Sequence, residues 1–72
     1  DFIFETLVAE DLMKVLQKLP LGYKTVFNLY AIEGYSHKEI AKKMNVTVST
    51  SKSQFSRAKA MLREKITELE KE

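Results

Sequence analysis

Residues 36–63 read SHKEIAKKMNVTVSTSKSQFSRAKAMLR, and this stretch decides the fold. Ser36 followed three residues later by Glu39 is a capping box. The serine hydroxyl accepts from an otherwise unpartnered backbone N–H, and the glutamate reaches back to the cap. Ile40, Ala41 and Met44 then make a short apolar stripe, with Lys38, Lys42 and Lys43 off it. Met44-Asn45-Val46-Thr47 reads as a tight turn: Asn45 tolerates left-handed backbone angles, Val46 plugs the turn from inside, and Thr47 caps the next helix. That second helix is expected to be the longer one. Val48, Ser51, Phe55, Ala58, Leu62, Ile66 and Leu69 recur at three- and four-residue spacing and define its core side. Ser49, Lys52, Ser53, Ser56, Arg57, Lys59, Ala60 and Arg63 fall largely on the other sides, a surface with no acid before Glu64. A short helix, a tight turn and a long basic helix together make a helix-turn-helix, a unit that places its second helix in the DNA major groove.

The charge distribution points the same way. The chain carries only +2 overall, yet residues 36–65 hold eight lysines and arginines against Glu39 and Glu64, a local excess of +6. The segments on either side are each net −2. Attraction to a polyanion is set by local charge within a Debye length of about 8–10 Å, so the cluster matters more than the total. Ser49, Thr50 and Ser51 at the start of the long helix suit close approach to a sugar-phosphate backbone.

Outward from this unit the chain reads as scaffold. At 72 residues it is one small domain with no cysteine, so helix packing alone must hold it. The absence of an initial Met suggests a piece of a longer protein. No apolar run approaches the roughly 18–20 residues needed to span a membrane, and a cytoplasmic setting is expected. Residues 1–8 are expected to be a linker or N-terminal extension and residues 9–72 the domain proper. Phe2, Ile3, Phe4 and Leu7 either dock on the core or open the first helix. A helix is expected over about 9–18, with Leu12, Val15, Leu16 and Leu19 buried and Pro20 ending it. The next helix should run from about 21 or 22 to 33, with Tyr23, Val26, Phe27, Tyr30 and Ala31 inward and Leu29 and Ile32 broadening the stripe. Gly34 fits a left-handed helix end. Residues 68–72 read as a solvated helical tail. The expectation is an all-α, four-helix domain containing a helix-turn-helix with a long recognition helix.

Catalytic chemistry has little to work with. His37 is the single histidine, so no imidazole pair can hold a metal, and Ser36 beside it is no dyad because neighbouring helical positions diverge. The two glycines stand alone, so no glycine-rich phosphate loop exists. Met13, Met44 and Met61 read as core filler or its partly exposed neighbours. Neither enzymatic activity, cofactor nor metal is expected.

The residues LPLGYKTVFNLYAIEGYSHKEIAKKMNVTVSTSKSQFSRAKAMLREKI closely resemble region 4 of bacterial sigma-70 family factors, the extracytoplasmic function group above all. The LP-x-x-YK-x-VF stretch, the EGYSHKEIA block and TSKSQFSRAKAML match in order and spacing, over about residues 9–66. The resemblance implies an all-helical domain that reads the promoter −35 element, docks on the flap of the RNA polymerase β subunit through its first two helices, and has no catalytic activity. It places Lys52, Ser53 and Ser56 at or near DNA bases, and makes Thr50, Gln54, Arg57 and Lys59 candidates for phosphate or base contact. Ser36, His37, Lys38, Ser49 and Arg63 are further candidate phosphate contacts. Gln54 has the chemistry to read adenine with two hydrogen bonds, and Lys52 to read guanine. Anti-sigma proteins often bind such domains.

One segment departs from the family pattern. Where many relatives have Gly-Ile-Ser-x-Gly-Thr, this chain has Asn45-Val46-Thr47-Val48-Ser49-Thr50. Asn45 substitutes for a left-handed glycine, and Val48 offers methyl groups where a polar residue is common. Two other readings of the unit are a response-regulator-type helix-turn-helix, which binds as a dimer to paired half-sites, and a protein-interaction domain held by an anti-sigma factor.

Overall fold

The computed structural model describes residues 13–70. The expectations for residues 1–12 and 71–72, including the linker and the inward Leu12, lie outside the described residues, as does the side chain of Leu69.

Helix α1 covers 13–17, and the chain tightens after it, with the N–H groups of Lys18 and Leu19 donating to Val15 and Leu16 carbonyls at 3.0 and 3.2 Å. Pro20 ends this turn and stands at the N-cap of α2, Leu21–Phe27. Its fixed φ and missing N–H suit the start of a helix and forbid continuation of the last one. No side chain caps α2. Helix α2 continues directly into a π-helical segment, Asn28–Ile32. The wider winding carries through to the helix end: Glu33 N–H donates to Asn28 O and Tyr35 N–H to Leu29 O, both at 2.9 Å. Gly34 closes it at φ 81°, the left-handed region expected of it.

Helix α3, His37–Met44, carries both halves of its capping box. Glu39 N–H donates to Ser36 Oγ at 3.1 Å, and Ser36 N–H donates to Glu39 Oε1 at 3.0 Å. Asn45 takes φ 57°, ψ 48°, and Val46 N–H turns back to Ala41 O at 2.9 Å. Thr47 caps α4, Val48–Glu70, by accepting from Thr50 N–H at 3.0 Å. Thr47 Oγ1 also donates to Thr50 Oγ1 at 2.9 Å, so one hydroxyl pair fixes the helix entry.

Helix α4 is the wall on which the other helices pack. Val15 and Leu16 of α1 and Leu19 just after it meet Ala58 and Leu62 of α4, with Tyr23, Phe27 and Met61 against them. Val26, Ile40 and Ala41 are buried as well, so α2 and α3 each commit one apolar side. The fold is all-α: no strand occurs among the described residues.

Several expected core positions are surface instead. In the π-helical segment Ala31 is exposed, Ile32 is 55% exposed and Tyr30 39%. An i→i+5 winding holds more residues per turn, so positions after Asn28 slip out of the 3.6-residue phase that the sequence pattern assumes. Val48 shares the core phase of α4 but is 39% exposed, because it is the first residue of that helix and the packed elements no longer cover it.

Candidate nucleic-acid interface

The interface is built on the side of α4 that the core does not use. Ser51, Ala58 and Leu62 are buried on one side. Opposite them Ser49, Ser53, Ser56 and Ala60 are all exposed and follow one another at spacings of four, three and four, a line along the helix. Lys52, Lys59 and Arg63 run beside this line on one flank, and Arg57 lies on the other, all four exposed. The surface is therefore low in the middle and cationic at its edges. Such a cross-section lets a helix sink toward base edges while its rims meet phosphates.

One rim cation is partly engaged: Lys59 Nζ lies 5.0 Å from the centre of the Phe55 ring. That contact is worth about 0.5–1 kcal/mol at an exposed site, less than a phosphate partner offers. Lys38 and Ser49 are exposed. Thr50 is half-buried, its hydroxyl paired with that of Thr47. Ser36 is exposed, but its hydroxyl oxygen already accepts from Glu39 N–H.

Two candidate contacts are placed elsewhere. Gln54 is half-buried and faces α2, its amide 3.7–3.8 Å from where a Cβ on Gly22 would stand. The reason is helical phase. Gln54 comes three residues after Ser51 and four before Ala58, both fully buried, so it belongs to the inward side and does not share the exposed face with Lys52 and Ser53. Its Oε1 is buried without a hydrogen-bond partner. Gln54 is thus a packing residue between α2 and α4, and adenine readout from this position is not supported.

His37 is the second. It is half-buried, with Nδ1 2.8 Å from Ser51 Oγ. Its ring stacks on Tyr30 at 4.2 Å and 12°, and meets Phe55 edge-on at 5.8 Å. Phe55 also contacts Tyr30 at 4.6 Å and stacks on Phe27 at 5.7 Å. His37 therefore ties α3 to α4 and to the π-helical segment through Nδ1 and its ring faces, rather than standing as a free surface residue. Ser51, with no exposed surface, is the buried polar residue this bond satisfies. Leaving such a hydroxyl unpartnered costs about 1–3 kcal/mol. The sequence pattern put Ser51 in the core stripe, and its burial removes it from the hydroxyls expected near a sugar-phosphate backbone; the hint of its partner was a lone histidine at the start of α3.

Glu39 is the one acid on α3, and its carboxyl is held below the ordinary carboxylate range. The backbone N–H of Ser36 is the main cause, with the Ser36 hydroxyl and then Lys43 adding to it. Its charge is therefore committed to the helix start rather than to the α4 surface. Among the described residues no group of three His, Asp or Glu side chains is placed to hold a metal ion. No helix there is long and apolar enough to cross a membrane.

The family model described as Sigma-70, region 4 matches residues 9–62, most of the chain. No match was found among curated proteins or solved structures. The chain belongs to the sigma-70 region 4 family, whose members are DNA-binding domains of sigma factors rather than enzymes.

Proposed function

We propose that this sigma-70 region 4 domain binds the promoter −35 element in a sequence-specific way, as the C-terminal domain of an RNA polymerase sigma factor of the extracytoplasmic function type. The observation that carries the reading is the outer side of α4. Ser49, Ser53, Ser56 and Ala60 form a low line between Lys52, Lys59 and Arg63 on one rim and Arg57 on the other. Lys52, Ser53 and Ser56 are the residues to reach base edges; Arg57, Lys59, Arg63, Lys38 and Ser49 are those to meet phosphates. Thr50 braces the entry of α4 and adds a hydroxyl there. The work is done at the nucleoid in the bacterial cytoplasm. No step of bond making or breaking belongs to this domain.

Exposed apolar side chains on α1, α2 and the π-helical segment favour a protein partner as well. Leu21 is 74% exposed, and Met13 and Ile32 are also uncovered. The flap of the polymerase β subunit is that partner in our reading, and an anti-sigma protein would compete for it.

Fluorescence anisotropy on duplexes selected from a randomised pool, at two salt concentrations, tests the DNA reading. A single asymmetric motif and steep salt dependence are expected. Arg57→Ala should weaken binding to every sequence and reduce the salt slope by about one unit. Lys52→Ala should instead relax preference at one base pair by about 1–3 kcal/mol. Equal losses on all sequences for both variants would refute the division of roles. Preference for paired half-sites by a dimer would point to a response-regulator-type module.

A further inference from the structure

Resting on the proposed DNA reading, we infer that Val48 is a specificity-determining residue that reads the 5-methyl group of a thymine in the major groove. The position is unusual for an aliphatic side chain. Val48 opens α4 and is 39% exposed, while Ser49 beside it and Lys52 one turn on are polar and also exposed. It stands four residues before Lys52 and three before buried Ser51, hence one turn earlier, where the cationic flank borders the core side.

The side chain is presented rigidly. Thr47 Oγ1 holds Thr50 N–H at 3.0 Å and the Thr50 hydroxyl at 2.9 Å, which fixes the backbone on both sides of Val48. A valine in a helix keeps one strongly preferred χ1 rotamer, so its two methyls arrive without further ordering. In the major groove each base pair offers hydrogen-bonding groups, and thymine alone adds a methyl. An exposed valine among hydroxyls and ammonium groups has no hydrogen bond to give, so thymine's methyl is the chemistry it fits. One helical turn advances about 5.4 Å and one base pair about 3.4 Å, which puts the thymine within about two base pairs of the pair read by Lys52.

The test uses the 72-residue chain and its selected duplex, with uracil replacing thymine one position at a time. Uracil keeps every hydrogen-bonding group and removes only the methyl. One such replacement, near the Lys52-dependent pair, should weaken binding by about fourfold, the worth of one buried methyl. Val48→Ala should bind the thymine and uracil duplexes equally, and Val48→Thr, which keeps one methyl, should recover part of the difference. Retained salt dependence in both variants shows that the helix still docks. A selected motif in which no thymine-to-uracil change matters overturns the assignment while leaving the DNA reading intact. So does a change felt equally by wild type and Val48→Ala, since another residue then reads the methyl. Failure to select any motif overturns the DNA reading and this assignment together.

Discussion

Helices α2 and α3 both lean on α4, but they are specified in different ways. Helix α3 is closed at both ends by its own residues, with the Ser36–Glu39 box at one end and left-handed Asn45 at the other. Helix α2 has no side-chain cap at its start and unwinds into a π-helical segment at its end. The contacts that hold α2 and the π-helical segment come from other elements: Val26 is fully buried, Phe27 stacks on Phe55, and Tyr30 stacks on His37. A locally closed helix fixes its own length and phase. A helix held by tertiary contacts takes whatever winding those contacts favour, here one wide enough to bring Tyr30 against His37 and Phe55.

The largest test of that contrast is Phe55→Ala. The ring supports Phe27, Tyr30 and His37, and its loss should cost about 3 kcal/mol, at the low end for phenylalanine truncation because Phe55 is only half-buried. Hydrogen exchange should rise most across α2 and the π-helical segment, with α3 less affected. If α3 opens as much as α2, the two helices are not specified differently. Ser36→Ala is the complementary change and a smaller one, about 1 kcal/mol by urea unfolding. Its exchange signature should stay in the first turn of α3.

The smallest effect is one of pH. The Glu39 carboxyl has a folded-state pKa below its unfolded value, so its contribution is fully present above the unfolded carboxylate range. It is lost as pH falls through the lowered folded value. Stability should thus decline on acidification. Glu39→Gln, which still has an oxygen to accept from Ser36 N–H, should show a shallower decline over the same interval. Identical pH profiles would mean that the box holds by geometry alone, without the charge.

The same contrast explains which features could be read in the sequence. Ser36, Glu39 and Asn45 announce α3 because their roles are settled within a few residues, and the core positions Leu16, Leu19, Val26, Ile40, Ala58 and Leu62 are fixed by spacing. The π-helical winding was not legible, because nothing in Asn28–Ile32 excludes an ordinary α-helix. The His37–Ser51 bond was not legible either, since its partners are fourteen residues apart and meet only when α3 crosses α4. Gln54 is a different kind of miss. Its inward phase is set by the spacing to Ser51 and Ala58, and its amide packs towards Gly22 where its chemistry had suggested a base contact. The rim of Lys52, Arg57, Lys59 and Arg63 was legible, because a long amphipathic helix shows both of its sides in its own period.

The low line on α4 has a consequence for how such a domain can diversify. Ser49, Ser53, Ser56 and Ala60 are exposed, and none of them contributes to the buried cluster. Exposed helical positions of this kind usually tolerate exchange within about 0.5 kcal/mol of stability. Lineages descended from this chain are therefore free to drift at these four sites with the fold unchanged. On the proposed DNA reading, divergence in target preference proceeds by single steps along a track that natural selection on folding hardly touches.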